Sequence, residues 1–259
     1  MRYEHILVAT DADLAIVTMN RPERRNALSE AHMQELIAAL RRFGDDRETR
    51  AIILGAAGPV FSAGHDFGDM AERDLEGMRH LLDVCTELML TLERLPQPIV
   101  ARVQGLATAA GCQLVASCDL AVASEEASFA TPGGKGGWFC TTPMVAVARA
   151  VGRKRALEMV LTGDPIDART ALAWGLVNRV VPPARLAEET EALARAASRG
   201  STTSKALGKR AFYDTIALDE EAAYARACEV MATSAVSEDG REAMRAFLEK
   251  RPGVYPPRR

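Results

Sequence analysis

The sequence has few of the residues from which metal sites and disulfide frameworks are built. It contains four histidines and five cysteines in 259 residues, and no histidines have a paired spacing such as H-E-x-x-H. The cysteines have neither the spacing of a zinc site nor that of a disulfide framework. They lie at positions 85, 112, 118, 140 and 228. These absences predict that no metal is bound. They also predict reduced thiols, and hence a cytoplasmic location.

Long apolar runs and a strong excess of one charge are missing as well. No apolar run approaches the roughly 20 residues that are needed to span a bilayer. The start, Met1–His5, has neither an apolar signal region nor an Arg/Ser-rich amphipathic leader. The net charge of -3 gives no electrostatic reason to expect nucleic acid or an anionic membrane. We therefore expect neither among the partners.

The pattern of the remaining sequence predicts an α/β fold. A hydrophobic fraction of 48% is enough for a substantial core. Short apolar or β-branched runs predict strands at 5–9, 14–19, 51–54, 99–103, 120–123 and 177–181. Helical spacing predicts helices from a cap at Ser29 to Gly44 and at 71–95, 143–150, 153–162, 167–174, 185–198, 202–216, 219–235 and 238–249.

The order of these elements divides the chain. The first two-thirds alternate strand and helix, which predicts a core with parallel strands, and the last third is helical. We place the boundary between a core of residues 1–196 and a helical region of residues 197–259. A helical tail of this length must bury its apolar stripes, and another subunit is an obvious place for them.

The stretch Gly105–Leu120 is the segment around which the rest is organised. It follows the apolar run Ile99–Val103 and predicts a strand, a tight turn of small residues and the start of a helix. Small side chains let a ligand approach the backbone closely. The first amides of a helix lack internal partners and can stabilise a carbonyl oxygen that gains negative charge. A buried helix that only packs closely fits the same residues.

A second segment, Thr131–Cys140, contains four glycines. Glycine-rich loops can bind phosphate, but this one has neither the G-x-x-x-x-G-K-[ST] order nor a G-x-G-x-x-G at a helix start. We do not expect a nucleotide-phosphate loop.

Five segments in register resemble the crotonase superfamily, whose best-known members are the enoyl-CoA hydratases. They span almost the whole chain and comprise Asn20–Leu28, Phe61–Asp66, Ala109–Gln113, Leu161–Gly163 with Ala173–Val177, and Phe247–Arg251. The amino-acid sequence of Ala110–Asp119 and Ser128–Gly133 most resembles the third subtype of the enoyl-CoA hydratase domain-containing proteins. The resemblance implies a crotonase-like ββα spiral core with a C-terminal helical trimerisation region, and a homotrimer or a hexamer of two trimers.

The resemblance also implies an acyl-CoA thioester as substrate, with coenzyme A as part of it and no permanently bound cofactor. Two backbone amides hold the thioester oxygen in such proteins, and by position they are those of His65 and Ala110. The implied coenzyme A contacts are Arg24, Arg25, Ala27, Leu28, Ala63, Asp66 and Phe67, with Lys250 reaching a neighbouring subunit's ligand. An acyl pocket lined by Trp138, Phe139 and Cys140 is expected, although these residues also fit a core.

Two positions depart from the hydratase pattern. Hydratases of the superfamily use two glutamates to position water and move protons, and here those positions are Gln113 and Gly133. A glutamine cannot exchange protons near neutral pH, and a glycine has no side chain to do so. Lys135 is a candidate substitute base, but nothing among its neighbours predicts a lowered pKa. We expect the nominal lyase reaction of fatty acid metabolism, enoyl-CoA hydration, to be weak or absent.

His65 is the remaining titratable residue inside the implied site. Methylmalonyl-CoA decarboxylases of the superfamily have the same residues as Phe61–Asp66. They need no carboxylate base, because loss of CO2 generates the enolate directly. They carry a tyrosine near position 139 or 140, which this chain lacks. Three functions stay open: a hydratase-like lyase, a decarboxylase or other enolate chemistry that uses His65, and an acyl-CoA-binding protein without turnover. His65 also fits a role in which only its backbone amide acts.

Overall fold

A computed structural model describes residues 2–258, whose strands form two sheets. The larger sheet has six strands in the order β1 (Ile6–Asp11), β2 (Leu14–Met19), β3 (Ala51–Ala56), β5 (Ile99–Val103), β7 (Leu120–Ser124) and β10 (Arg179–Val181). The smaller sheet has four, in the order β4 (Val60–Ser62), β6 (Leu106–Thr108), β8 (Ser128–Ala130) and β9 (Ile166–Asp167). The pairs β1/β2 and β8/β9 are antiparallel and the other pairs are parallel.

The helices connect these strands and make up the last third of the chain. They are α1 (Glu30–Asp45), α2 (Phe67–Met70), α3 (Leu75–Arg94), α4 (Ala110–Ser117), α5 (Thr141–Val151), α6 (Arg153–Thr162), α7 (Ala168–Trp174), α8 (Leu186–Ser198), α9 (Thr202–Thr215), α10 (Glu220–Ala235) and α11 (Glu238–Leu248). The predicted cap of α1 is confirmed, since the Ser29 hydroxyl accepts the His32 N–H at 3.3 Å. Across residues 2–258, no helix combines the length and the apolarity needed to cross a membrane.

Three successive turns of the chain each add one strand to each sheet. β3 is followed by β4, β5 by β6 and β7 by β8, and helices return the chain after each pair. Parallel pairing follows, because each return passes through a helical crossover. The predicted α/β core of ββα units is thus confirmed, and its strand ends bring the turns after β4, β6 and β8 together.

The smaller sheet is the part of the fold that the sequence pattern does not predict. The strands β4, β6 and β8 have three residues each, which is too short to show an alternating pattern. The segment expected to be a tight turn before α4 therefore contains β6. The helix predicted over 71–95 begins later, because the Asp74 side chain accepts the Gly77 N–H at 2.9 Å and caps α3 there.

The predicted boundary between 196 and 197 falls inside α8. Leu186 and Ala194 of this helix are buried in a cluster with apolar residues of the larger sheet. The division into a core and a helical region remains a prediction.

The C-terminal helices leave apolar side chains uncovered in a single chain. Neither α9 nor α10 contains a buried residue. Large apolar side chains are exposed on or directly after α9, α10 and α11, among them Phe212, Ile216, Met231, Phe247 and Leu248. An apolar surface of this kind marks an interaction site, which fits the predicted use of this region in oligomerisation.

One largely buried ion pair ties α9 to the core. The Lys209 ammonium donates to the Asp119 carboxylate at 2.6 Å and to the carbonyls of Leu92 and Gln97 at 2.8 and 3.0 Å. The Tyr213 hydroxyl donates to the other Asp119 oxygen at 2.9 Å. Burial lowers the pKa of Lys209 and raises that of Asp119, while their mutual attraction opposes both shifts. Each charge therefore depends on the other.

Replacement of Lys209 by methionine tests this tie. Lys209→Met leaves the Asp119 carboxylate buried without its cation, so the free energy of unfolding should fall by about 3–5 kcal/mol. Lys205→Met on the same helix is the matched control, since Lys205 is exposed and should change stability by no more than about 0.5 kcal/mol. Urea unfolding measures both. Equal stabilities of the two variants would contradict a structural role for the pair.

Candidate functional site

A largely apolar cavity of about 370 Å³ lies between the loop after β4, the start of α4 and the glycine-rich turn after β8. It is lined by many of the residues selected from the sequence, namely Ala63, His65, Phe67, Ala110, Gly133, Trp138, Phe139 and Cys140. The cavity has further lining residues that were not expected from the sequence: Leu82, Thr108, Ala109, Pro132, Gly136 and Thr141–Pro143. Leu82 carries no local signal of this position, because it belongs to the ordinary apolar stripe of α3.

The backbone at His65 is held by a parallel bridge to Leu28. The Leu28 N–H donates to the Gly64 carbonyl at 2.8 Å, and the Asp66 N–H donates to the Leu28 carbonyl at 3.2 Å. In this pattern the N–H of the central residue points away from the partner segment. Within residues 2–258 the His65 N–H has no hydrogen-bond acceptor.

The N–H of Ala110 is free for a different reason. Ala110 is the first residue of α4, and the first amides of a helix have no partner one turn earlier. No acceptor for it lies among the described residues. The two segments touch, because a Cβ built on Gly64 would lie 3.2 Å from the Ala110 nitrogen and 3.0 Å from the Thr108 oxygen. The fold therefore brings two unused backbone donors to one cavity wall.

Ala109, immediately before α4, has a strained backbone. Its φ of 50° and ψ of -120° lie in a region that favours glycine. Such conformations cost about 1–3 kcal/mol and persist only where the surroundings enforce them. Here the Ala109 N–H donates to the Ala130 carbonyl of β8 at 2.9 Å. Tertiary contact, not local preference, thus sets the direction in which α4 begins.

The His65 side chain is a titratable group in the lining of the same cavity. It is 8% exposed, and neither ring nitrogen has a hydrogen-bond partner in the part of the chain described. Burial lowers the pKa of His65, so the imidazole is neutral at pH 7. Its ring centroid lies 6.1 Å from that of Trp138.

The rest of the lining is short of acid–base groups. Apart from His65, Cys140 is the titratable lining residue among those described, and burial raises the pKa of its thiol. Gln113 is buried behind the lining, with its Oε1 unpartnered within residues 2–258. Lys135 is exposed and pairs with the Asp164 carboxylate, so the candidate substitute base lies outside the lining.

Gly133 has no room for a side chain in this backbone. A Cβ at this position would lie 2.0 Å from the Trp138 carbonyl oxygen and 2.8 Å from the Cys140 Sγ. The Gly133 N–H donates to that same Sγ at 3.3 Å, and its carbonyl accepts the Trp138 N–H at 3.1 Å. The second acid position is therefore closed by the turn itself.

Several of the residues expected to contact coenzyme A lie outside the cavity lining. The Asp66 carboxylate caps α2 by accepting the Gly68 N–H at 3.1 Å, and it pairs with Arg21 at 3.2 Å. These bonds give Asp66 a structural role in the loop. Ala27 and Leu28 are buried beneath it, whereas Arg24 and Arg25 are exposed.

Phe67 and Lys250 occupy more peripheral positions. Phe67 is 72% exposed at the rim of the cavity, with its ring 6.4 Å from Trp138. Lys250 is exposed just after α11 and does not line the cavity of its own chain. Among residues 2–258, no three His, Cys, Asp or Glu side chains are grouped as a metal ion would require.

Known proteins match the chain along most of its length. It is 45% identical over 242 residues to the mitochondrial enoyl-CoA hydratase domain-containing protein 3 of Mus musculus, covering 92% of this chain and 80% of that protein. A crystal structure of enoyl-CoA hydratase from Mycobacterium smegmatis superposes with a TM-score of 0.94 at 45% identity, covering 97% and 98% of the two chains. The crystal structure of human enoyl Coenzyme A hydratase domain-containing protein 3 superposes with a TM-score of 0.94 at 42% sequence identity. The match covers 97% of this chain and 100% of that chain.

These relatives correct the predicted location. The subtype 3 proteins of mouse, rat, human, zebrafish and Xenopus are all named mitochondrial. The cytoplasmic location predicted from the sequence is therefore wrong. The prediction relied on reduced thiols, and a set of free cysteines excludes a disulfide framework without specifying which reducing compartment holds the protein.

Alanine substitution in the glycine-rich turn tests the packing at Gly133. Gly133→Ala forces the turn away from the Trp138 carbonyl, so the free energy of unfolding should fall by about 1–3 kcal/mol. Gly136→Ala is the control in the same turn, because a Cβ there meets no atom within 4 Å. Its stability should stay the same or rise slightly. Similar losses in both variants, measured by urea unfolding, would contradict the steric explanation.

The family assignment depends on the whole chain more than on any one residue. The family model described as enoyl-CoA hydratase/isomerase matches residues 9–257. The spiral of ββα units, the paired donors at the cavity wall and the structural matches agree with it. The chain belongs to the crotonase, or enoyl-CoA hydratase/isomerase, family.

Proposed function

We propose that this protein binds an acyl-CoA thioester and stabilises its enolate through the backbone N–H groups of His65 and Ala110. The observation that supports this is the pair of unused donors on adjacent segments of one apolar cavity wall. Donors held in advance where negative charge develops need no reorganisation, and removal of one typically costs about 3–4 kcal/mol of transition-state stabilisation. Coenzyme A is part of the substrate in this proposal, and no further cofactor is required.

Efficient hydration of an enoyl thioester is not expected. Addition of water needs a group that removes a proton from water and one that returns a proton to the α carbon. The cavity lining contains no carboxylate among the residues described, and Gly133 has no space for one. Gln113 can orient a molecule by hydrogen bonding but cannot exchange its protons near pH 7.

Decarboxylation is a second candidate, favoured by the neutral, unpartnered imidazole of His65 in the cavity. In a malonyl-type thioester the bond between the α carbon and the carboxylate breaks, and its electron pair forms the enolate while CO2 leaves. The α carbon then takes a proton from the imidazole, which is replenished from water. No base is needed for the first step, so the missing carboxylates are no obstacle.

A third possibility is binding without turnover. A cavity that holds a thioester oxygen but carries no carboxylate suits a protein that sequesters acyl-CoA. The experiments below separate this function from the other two.

We also propose a homotrimer, or a hexamer of two trimers, built by the C-terminal helices. The exposed apolar side chains of α9, α10 and α11 support an assembly in which they are covered. In it, Lys250 would reach a neighbouring subunit's ligand, and the exposed Arg24 and Arg25 would lie near the phosphates of coenzyme A. Light scattering coupled to size-exclusion chromatography measures the state, and a monomer at micromolar concentration would contradict the proposal.

The decisive binding experiment changes one group of the ligand. Butyryl-CoA has the thioester carbonyl, and S-butyl-CoA has a methylene in its place. Two hydrogen bonds of about 0.5–1.5 kcal/mol each should make butyryl-CoA bind about 5- to 150-fold more tightly by calorimetry. Equal affinities would contradict the role of the two amides. No binding of either compound would contradict coenzyme A thioesters as ligands.

A His65 variant separates the two enzymatic candidates from binding alone. With a malonyl-type thioester, His65→Ala should slow formation of the protonated thioester product by about 100-fold or more, since proton transfer by a positioned side chain contributes that much. Crotonyl-CoA hydration should be slow in both proteins. Formation of the protonated product that survives the substitution unchanged removes the decarboxylase proposal in this form. Absence of all turnover, with butyryl-CoA still bound, leaves the binding protein.

A further inference from the structure

Trp138 is a partly exposed aromatic neighbour of the buried His65 imidazole. Three aromatic rings form a row at the cavity mouth, with ring centroids 6.1 Å apart for His65 and Trp138 and 6.4 Å apart for Trp138 and Phe67. Trp138 is 43% exposed whereas His65 is 8% exposed. The indole is therefore the outer layer and the imidazole the inner one.

The turn that carries Trp138 is held by contacts on both sides. Its N–H donates to the Gly133 carbonyl at 3.1 Å, and its own carbonyl packs where a Cβ of Gly133 would be. On the other side the turn rests on the end of α6. A Cβ on Gly134 would lie 2.9 Å from the Val160 oxygen, and one on Gly163 would lie 3.0 Å from the Pro132 Cα. These approaches hold the start of the turn, Pro132–Gly134, against neighbouring backbone, and the Trp138 N–H is bonded to that start.

Neither ring nitrogen of His65 has a hydrogen-bond partner of ordinary geometry within residues 2–258. A histidine that acts on a substrate needs a fixed ring, and in most sites a hydrogen bond to one nitrogen provides it. The Leu28 carbonyl lies near the ring and opposes the lowering of its pKa by burial, but neither ring nitrogen has a partner with hydrogen-bond geometry. Packing against Trp138 therefore contributes to the position of the ring. The indole plane lies at 45° to the imidazole, and Trp138 is the aromatic residue in contact with it in the described chain.

We propose that Trp138 is the positioning residue for His65: its indole closes the cavity over the imidazole, limits the ring's orientation and keeps water from it. The role rests on the proposed function, in which His65 faces the enolate. It differs from the family's two amide donors, because it concerns the side chain of His65. The proposal also gives the glycine-rich turn, which leaves no room for an acid at Gly133, a function in the site: it carries Trp138 to His65.

The charged groups around His65 are paired and stay in place when Trp138 is changed. Asp69 of α2, whose charge acts on His65, is bonded to Arg73 at 3.0 Å. Asp66 is paired with Arg21, and Lys135 on the Trp138 turn is paired with Asp164. Cys140 faces the same cavity as a neutral thiol. A change in His65 titration after substitution of Trp138 therefore reports hydration of the ring.

The test is a proton NMR titration of the His65 Cε1–H in the full chain without ligand, with His65→Gln to assign the signal. Burial holds the pKa of His65 below its ordinary value of 6.5. Trp138→Ala should raise the pKa toward 6.5, because water then reaches the charged form, and Trp138→Phe should raise it less. Trp174→Ala is the matched control, since it removes the chain's other tryptophan, on α7. It should leave the His65 titration unchanged.

An unchanged His65 titration in Trp138→Ala overturns the proposal, provided that circular dichroism shows the native fold. A shift of equal size in Trp174→Ala also overturns it, because the effect would then be general loosening. The readout needs no thioester, so its failure is distinct from that of the proposed function. If the titration shifts as expected but no thioester binds, the positioning role stands and the function proposed for the site is wrong.

Discussion

The site depends on a close approach between two stretches of backbone. Gly64 and Gly111 lie where the loop after β4 crosses the start of α4, and a Cβ on Gly111 would lie only 2.5 Å from the Ser62 carbonyl oxygen. A side chain at either position would push the segments apart. Because they stay together, the free N–H groups of His65 and Ala110 face one cavity, and the strain at Ala109 is the local cost of that arrangement.

The same kind of constraint decides what chemistry the cavity lacks. At Gly133 the Trp138 carbonyl and the Cys140 sulfur occupy the space of a side chain. The loss of a carboxylate there is thus part of how the turn packs, and a single substitution to glutamate would not restore it without moving the turn. What remains is a pocket able to stabilise negative charge on oxygen, with a neutral His65 as the side chain able to move a proton.

The glycine-rich turn links the missing acid at Gly133 to the burial of His65. The turn that excludes an acid at Gly133 also carries Trp138 to the mouth of the cavity, where it covers His65. An imidazole whose nitrogens lack hydrogen-bond partners is costly to bury, and a catalytic role is one reason why a native protein retains such a group. The glycine-rich turn, which suggests a phosphate loop by composition alone, is therefore better understood as the support for one aromatic wall.

Local sequence patterns are enough to predict the α/β class, most of the longer elements and the family. Strand runs such as β2 and β3, the cap at Ser29 and the five resembling segments are local features that a pattern can show. The smaller sheet, the closure at Gly133, the place of Leu82 in the lining and the approach of Trp138 to His65 become visible only in the folded chain. These features share one physical cause, namely that local sequence patterns do not report long-range contacts. Each depends on contacts between segments far apart in sequence, and three-residue strands or a glycine without space leave no periodic signal of the neighbours they meet.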